Sequence, residues 1–368
     1  MRENRTNNEP NFQERDNLRV CYIAGREAEY SRTRTIVEAL KLAGFKTILC
    51  LPPGKSFFYY PRLIWEFVKY KRSCNLIIVG FYGQLLLPIV RLLTKKPILY
   101  DIYISTYDTM VYDRRKTKPD TFMARLYRFV DRLSMSLADG IILETKDHIR
   151  DYSRKFKIPE QKFEHIFLTV DENVIYPKVS EVENKRFLVH FHGEYAPFHG
   201  VRYILKAADI LRDEKIDFQI IGKGITYQQD RALAKKLELG NVRFIDWVPY
   251  DKLADVMSNA DCCLGIFGDN PRTLRVLTNK VVETLAVGKP LITARNQPVQ
   301  ELIEDGVSGI LVERANARAI ASAILKLKND PALRRRIGEN GRKVFLEHCS
   351  MKTFSLRLKS IIKRMVVT

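Results

Sequence analysis

The sequence lacks several features that mark common protein classes. None of its cysteines forms a C-x-x-C pair or a cysteine–histidine spacing typical of zinc; the six are Cys21, Cys50, Cys74, Cys262, Cys263 and Cys349. Several lie within apolar runs, which predicts buried free thiols in a reducing compartment. The longest apolar stretches, such as LLLPIVRLL, are too short and too interrupted to cross a bilayer.

Residues 1–17, MRENRTNNEPNFQERDN, are polar and contain no apolar core. This composition predicts a disordered tail and argues against a signal peptide. We therefore expect a cytoplasmic protein, with peripheral contact to the inner membrane face as an open alternative.

The chain is strongly basic, with a net charge of +19 over 368 residues. Such a field attracts nucleic acid, acidic membranes or phosphorylated small molecules, and charge alone does not choose among them. No zinc-finger, RRM or helix-turn-helix pattern is present, so we expect no specific nucleic-acid partner.

Apolar strands alternate with helical segments along the whole chain. LRVCYIA, FKTILCL and NLIIVG are typical of buried strands, and QLLLPIVRLL is predicted as a helix interrupted by Pro88. The pattern breaks at residues 168–178 and restarts with RFLVHF. This predicts an α/β fold of two doubly wound Rossmann-like domains facing a cleft. The predicted divisions are 18–170, 171–350, and a closing helix over 351–368 that packs back on the first domain.

One segment, RTLRVLTNKVVETLAVGKPLITA at 272–294, places cations at a predicted helix start. Asn279 is the expected N-cap, and Lys280 follows it where the helix dipole disfavours positive charge by up to about 1 kcal/mol. A bound anion at the helix N-terminus would remove that cost.

Two interpretations of this segment remain open. In the functional one, Arg272, Arg275 and Lys280 surround a diphosphate, and Glu283 accepts hydrogen bonds from a ribose diol. In the other, the cations form a solvated face and Glu283 is an ordinary exposed helix residue.

An ordered set of segments carries a family resemblance. FHGEYAPFHGVRYILKAADIL, IIGKG, NVRFIDWVPYDKLADVMSNADCCLGIF, NKVVETLAVGKPLIT and VQELIEDGVSGILV occur in this order. Together they resemble the donor-binding half of retaining GT-B glycosyltransferases of family four, or group 1, over about residues 186–350. CYIAGREAEYSRTRTIVEALKLAGF is similar to the start of the family's acceptor-binding half, over 18–170.

The resemblance implies a nucleotide-sugar donor on the C-terminal domain and an acceptor on the N-terminal domain. The implied donor contacts are Gly193, His199, Lys223, Arg272, Arg275, Asn279, Lys280 and Glu283. The family carries two glutamates eight positions apart; the second matches Glu283, whereas Arg275 stands at the first. Glu194 and His199 stand where relatives carry basic residues, which would leave the diphosphate to Arg272, Arg275, Lys280 and Lys223. A degenerate, inactive relative is the alternative.

The resemblance also implies a metal-independent reaction without a cofactor, and no D-x-D follows a strand. The leaving phosphate is expected to help deprotonate the acceptor. Asp101 and Asp108 in LYDIYISTYDT are the candidates for an orienting or basic residue, with loop capping as the alternative. His192 and His199 are the histidines to test.

A second basic segment, SFFYYPRLIWEFVKYKRS at 56–73, interleaves aromatic residues with Arg62, Lys69, Lys71 and Arg72. It predicts either contact with an anionic bilayer or a core-facing helix with a basic outer face. The expected function is a retaining glycosyltransferase acting on a glycan or lipid-linked acceptor, in surface polysaccharide or glycolipid synthesis. A nucleotide-sugar hydrolase or epimerase, and a non-catalytic nucleotide-sugar binding protein, remain alternatives.

Overall fold

The computed structural model describes residues 18–179 and 185–367. Within these ranges the strands form two parallel six-stranded sheets, each packed between helices. The prediction of two doubly wound α/β domains is confirmed. The predicted disordered tail, residues 1–17, lies outside the described residues.

The first sheet has the order β2-β1-β3-β4-β5-β6. Every residue of β3, β4 and β5 is buried, as expected for strands covered on both faces. The strands are β1 (Arg19–Ile23), β2 (Lys46–Cys50), β3 (Leu76–Val79), β4 (Ile98–Asp101), β5 (Gly140–Leu143) and β6 (Phe163–His165). The helices are α1 (Ser31–Leu42), α2 (Tyr60–Tyr70), α3 (Leu86–Leu93), α4 (Thr106–Asp108), α5 (Phe122–Leu137) and α6 (Lys146–Phe156).

Helix α3 is continuous through Pro88, so the predicted interruption is wrong. Pro88 is the third residue of the helix. The first four N–H groups of a helix have no intrahelical partner, and a proline there removes no hydrogen bond.

The second sheet has the order β12-β11-β10-β7-β8-β9. Its strands are β7 (Phe187–His192), β8 (Ile216–Ile221), β9 (Val242–Ile245), β10 (Cys262–Leu264), β11 (Leu291–Ala294) and β12 (Ile310–Val312). Its helices are α7 (Val201–Ile210), α8 (Tyr227–Lys236), α9 (Leu253–Ser258), α10 (Asn279–Val287), α11 (Gln297–Gln300), α12 (Ala317–Asn329) and α13 (Pro331–Val344).

The strand orders determine where loops can build a site. In the second sheet the chain order reverses between β7 and β10, and in the first between β1 and β3. Ligands of open parallel sheets bind outside the carboxyl ends of the strands at such reversals. The loops after β7, β10, β1 and β3 are therefore the expected site-forming loops.

The closing helix α14 (Met351–Val367) lies on the N-terminal domain, where it packs against α1. Phe354 and Leu358 are part of the apolar core under β1 and β3, and the Ser355 hydroxyl donates to the Ala39 carbonyl at 2.8 Å. The chain thus crosses between the domains twice. At the first crossing, Leu168, Val170 and Ile175 pack into the core of the C-terminal domain.

All six cysteines lie within the described residues, and each is a buried free thiol. Among the helices of residues 18–179 and 185–367, none combines the length and the apolar composition that crossing a membrane requires.

Candidate functional site

A cavity of about 350 Å³ lies between the two domains, beside the predicted loops. The N-terminal domain lines it with Arg26, Tyr30, Phe81, Tyr82, Tyr103, Asp113, Arg114 and Glu144, among others, and the C-terminal domain with Glu194, Phe198, His199, Arg272, Thr278, Asn279 and Lys280. Two smaller cavities adjoin it, and Tyr103 lines all three. The site is therefore a connected cleft built by both domains.

The N-terminus of α10 opens into this cleft. The N-cap is Thr278, not Asn279 as predicted, and its side chain makes no capping bond. The Thr278 hydroxyl is buried and has no hydrogen-bond partner among the described residues. The Asn279 side chain instead accepts a hydrogen bond from the Tyr103 hydroxyl at 3.2 Å, across the domain boundary. The uncapped helix end therefore presents free N–H groups and a hydroxyl to a ligand.

Lys280 lies buried at this helix end, and its direct partner is a neutral imidazole. The Lys280 ammonium donates to His199 Nε2 at 3.1 Å. His199 Nδ1 faces the Glu194 carbonyl oxygen, which leaves Nε2 as the accepting nitrogen. Burial holds the pKa of His199 well below its ordinary value, so the ring stays uncharged. Burial also lowers the pKa of Lys280 to about 8, against the opposing charges of Glu283 and Glu194.

Gly193 makes room for this lysine. Its φ is +135°, and a Cβ at this position would lie 2.5 Å from Lys280 Nζ. Gly193 does not itself line the cavity. Gly193, predicted as a donor contact, therefore acts indirectly: because it has no side chain, Lys280 can reach the cleft.

Arg272 is the second cation that the structure brings to the cleft. Its guanidinium stacks over the Phe198 ring at 4.8 Å and forms an ion pair with Asp113 of the N-terminal domain. Burial lowers the pKa of Arg272. Because the ordinary pKa of an arginine lies far above 7, the guanidinium stays charged at neutral pH. Arg272 and Lys280 thus approach the cavity from one side with positive charge.

Arg275 and Lys223 lie elsewhere. Arg275 points into a side cavity, over the Tyr112 ring at 5.5 Å and 4.0 Å from Asp151 of α6. Lys223 is exposed, pairs with Asp246 at 2.7 Å and does not line the cleft. Arg275 therefore lies beside the main cavity and Lys223 lies outside the cleft.

Glu283 ends a chain of buried polar side chains. The Gln219 amide bonds His190 Nδ1 at 3.0 Å, and His190 Nε2 lies 2.9 Å from His192 Nδ1. His192 Nε2 then lies 2.8 Å from Glu283 Oε2. The Gln219 amide also donates to the Val256 carbonyl, so the amide is the donor at this end. Donation then runs from Gln219 through two neutral imidazoles to the carboxylate, and burial holds the pKa of His190 well below its ordinary value.

This arrangement changes the predicted role of Glu283. One carboxylate oxygen is already bonded to His192, and the side chain faces a small side cavity shared with Asn279 and Tyr250. This bond leaves one carboxylate oxygen of Glu283, not two, for a ligand hydroxyl. His190 and Gln219 were not identified from the sequence as candidate site residues. His190 and His192 are two positions apart in β7, and this spacing places both rings on one face of the strand.

The predicted acidic candidates Asp101 and Asp108 lie in ion pairs and do not line the main cavity. Asp101 is fully buried and receives Arg32 Nε at 2.9 Å and Nη2 at 2.7 Å. Asp108 receives Lys155 at 3.0 Å on both oxygens. Asp101 lines none of the three connected cavities, whereas Asp108 lines the side cavity that Arg275 also lines. The acidic residues that line the cavity are Asp113, Glu144 and Glu194.

Further contacts hold the domains together around the cleft. Glu301 of the C-terminal domain caps α6 of the N-terminal domain, accepting from the N–H groups of Lys146 at 2.8 Å and Asp147 at 2.6 Å. The Asn270 amide donates to the Tyr112 carbonyl at 2.7 Å. The cleft therefore lies between domains in direct contact.

A family model described as "Glycosyl transferases group 1" matches residues 175–344. This match spans most of the C-terminal domain. The predicted resemblance is therefore confirmed on the half that carries Lys280, Arg272 and Glu283. Glu283, which the resemblance matches to the second glutamate of the family pair, lies in α10.

Curated relatives match the chain at low identity. An uncharacterised glycosyltransferase of Methanocaldococcus jannaschii is 28% identical over 41% of this chain and 41% of its own length. The alpha-D-kanosaminyltransferase of Streptomyces kanamyceticus is 24% identical over 65% of this chain and 62% of its own length. The matched region thus spans about half the length of these relatives.

Solved structures share the whole fold. Sucrose-phosphate synthase of Thermosynechococcus elongatus has a TM-score of 0.76 at 15% identity, covering 95% of this chain and 99% of that one. HepE of Anabaena in complex with UDP has a TM-score of 0.74 at 14% identity, covering 94% and 100%. These neighbours establish the GT-B arrangement of both domains.

The buried pair of Arg32 and Asp101 generates a prediction. Replacing Asp101 with asparagine leaves the Arg32 charge unpaired in the core, which should lower the free energy of unfolding by about 3–5 kcal/mol. Urea denaturation followed by circular dichroism measures the change. The exposed carboxylate of Asp269 is the control, and Asp269→Asn should change stability by less than about 1 kcal/mol. An Asp101→Asn variant of full stability but reduced activity would instead support the catalytic interpretation.

Proposed function

We propose that this chain is a retaining glycosyltransferase that moves a sugar from a nucleotide-sugar donor to a glycan or lipid-linked acceptor. One observation carries the proposal: the uncapped N-terminus of α10 opens into the interdomain cleft with Lys280 buried beside it. Free N–H groups, a helix dipole and a desolvated ammonium form a site for the diphosphate of such a donor.

Relatives support the choice of ligand and process. HepE of Anabaena was crystallised with UDP and with UDP-glucose, in the same fold. The capsular polysaccharide biosynthesis glycosyltransferase CapM of Staphylococcus aureus is 22% identical over 56% of this chain. We infer that a uridine diphosphate sugar is the first donor to test, and that the product belongs to a surface polysaccharide or glycolipid.

The proposed reaction exchanges one C–O bond for another at the anomeric carbon. The bond between this carbon and the diphosphate breaks, and the acceptor hydroxyl oxygen bonds to the same face of the sugar. The acceptor proton passes to an oxygen of the departing diphosphate, and a nucleoside diphosphate leaves. Negative charge grows on the diphosphate as its bond breaks, so preorganised cations and amides there lower the barrier.

We assign this stabilisation to Lys280, Arg272 and the first N–H groups of α10, and propose that they act without a bound metal. Both cations are largely withdrawn from water, where their attraction to a developing charge is stronger than at the surface. The Glu283 carboxylate, oriented by His192, is proposed to bind a ribose hydroxyl through its second oxygen.

Donor binding is tested with the nucleoside diphosphates UDP, GDP and ADP. The one that carries the correct base should raise the melting temperature of the protein. Lys280→Ala should abolish most of this shift, because the diphosphate loses a buried cation. Lys223→Ala is the matched control, since Lys223 is exposed and outside the cleft. If Lys223→Ala removes the shift and Lys280→Ala preserves it, the site is misplaced.

A pH dependence follows from the Lys280 pKa of about 8 in the free protein. At pH 7 the ammonium is charged, and above pH 8 binding must first restore a lost proton. The dissociation constant of the nucleoside diphosphate should rise about tenfold between pH 7 and pH 9. Titration calorimetry at both pH values measures this rise. Lys280→Arg should flatten the dependence, because a guanidinium stays charged; an unchanged dependence in this variant would assign it to another group.

The reaction itself is tested by product analysis. Incubation of the donor sugar with a mixture of glycan and lipid-linked acceptors should yield a new α- or β-linked product that keeps the donor's anomeric configuration, detected by NMR. Release of free sugar at the same rate with and without acceptor would identify a hydrolase. Nucleotide binding without either product would identify a binding protein.

A further inference from the structure

Three helices of the N-terminal domain expose apolar side chains that the cleft does not use. Helix α2 buries Tyr60, Leu63 and Phe67 against the sheet. Trp65, on the opposite side of this helix, is 66% exposed, and Phe58 just before the helix is 93% exposed. Arg62 and Lys69 lie three residues before and four residues after Trp65, so helical spacing places them beside it on the outer side.

The next two helices repeat this pattern. Helix α3 buries Leu86, Leu87 and Val90, while Leu92 is 87% exposed and Leu85 half-exposed. Helix α5 buries Ala124, Asp131 and Met135. Phe122, Leu126 and Phe129 follow one another at spacings of four and three residues, so they form a stripe on the outer side, with Phe122 78% exposed.

The three outer stripes lie side by side. Helix α3 packs against α2 on one side and α5 on the other. Their inner sides share one core with β3 and β4, whereas α1 and α14 pack in the other core of this domain. We call the resulting surface the α2–α3–α5 face; its apolar residues are Phe58, Trp65, Leu85, Leu92, Phe122, Leu126 and Phe129.

The charge of this face is strongly positive. Segments 56–73, 85–96 and 114–132 together carry 14 basic and three acidic residues, a net charge of +11 out of the chain's +19. One of the three acids, Asp131, is buried, and another, Glu66, pairs with Arg62. On α5, Arg125, Arg128 and Arg132 are exposed beside the apolar stripe.

This combination selects one kind of partner. Contiguous exposed apolar surface marks an interaction site. A second copy of this face would bring two strongly positive surfaces together, which costs free energy. Nucleic acid would match the charge but not three aliphatic and aromatic stripes. An anionic bilayer matches both, because its headgroups attract the cations and its interface accepts aromatic and aliphatic side chains.

We propose that the α2–α3–α5 face docks the protein on an anionic lipid bilayer. Phe58, Trp65, Leu92, Phe122 and Phe129 enter the interface, and the flanking arginines and lysines contact the headgroups. The basic run Arg114–Lys118 connects this face with the cleft, because Arg114 also lines the cavity. A lipid-linked acceptor held at the bilayer would therefore lie beside the N-terminal side of the site.

Vesicle flotation of the full chain tests the proposal. The protein should float with vesicles of phosphatidylcholine mixed with phosphatidylglycerol and stay unbound with phosphatidylcholine alone. The double variant Phe122→Ser/Phe129→Ser should weaken binding at least about tenfold, because two interfacial side chains are lost. Both residues are exposed, so the melting temperature should stay unchanged.

The two tryptophans provide a matched control for orientation. Trp65 lies on the face, whereas Trp247 is 74% exposed on the C-terminal domain. With brominated phospholipid in the anionic vesicles, the Trp247→Phe variant, which keeps Trp65, should be quenched and blue-shifted. The Trp65→Phe variant, which keeps Trp247, should change little.

The outcomes separate this proposal from the proposed function. Binding that is absent, equal for both lipids, or accompanied by equal quenching of the two tryptophans would overturn it. A dimer in sedimentation without vesicles, lost in the Phe122→Ser/Phe129→Ser variant, would instead assign the face to a second copy. Flotation requires no sugar donor, so these results leave donor binding and transfer to their own experiments.

Discussion

The site depends on a buried cation at the start of a helix. Lys280 is removed from water and faces the positive end of α10, and its direct partner is an uncharged histidine. Burial disfavours the charge and brings the pKa of Lys280 down to about 8, against the opposing charges of Glu283 and Glu194. Gly193 and the Glu194 carbonyl fix this arrangement, the first by leaving space and the second by setting the His199 tautomer. An anion in the cleft would satisfy the lysine, the helix end and the Thr278 hydroxyl together.

The same residues connect the two domains. Asn279, adjacent to Lys280, is bonded by Tyr103, and Arg272 pairs with Asp113, so both meet partners on the opposite domain. Separation of the domains would break these contacts and expose the helix end to water. A ligand that binds Lys280 and Arg272 together with a residue of the N-terminal domain, such as Arg26 or Arg114, would therefore favour the closed arrangement, because these groups line one cavity only when the interface is formed.

The fold was predictable from the sequence because its strands are covered on both faces. NLIIVG and KPILYD are continuous apolar runs, and such runs separated by helices have few alternatives to a parallel sheet. The predicted helix start near Lys280 was off by one residue. Asn279 has the side chain of an N-cap, but its side-chain oxygen instead accepts a hydrogen bond from Tyr103, more than a hundred residues away. The ion pairs of Asp101 and Lys223 were missed for the same reason: Arg32 and Asp246 are distant in sequence, and local pattern contains no information about them.

Arg275 shows how a departure from a family pattern can be understood from its contacts. By the family resemblance it stands at the position of the first glutamate, and a carboxylate there would lie beside Asp151 and Asp108, close to the domain boundary. The arginine instead faces Asp151 and stacks on Tyr112, both of the N-terminal domain. With Glu301 capping α6 nearby, the position contributes to the contact between domains. Charge balance across this interface therefore favours a cation at 275, and the proposed diphosphate contacts are left to Arg272 and Lys280, which both line the cleft.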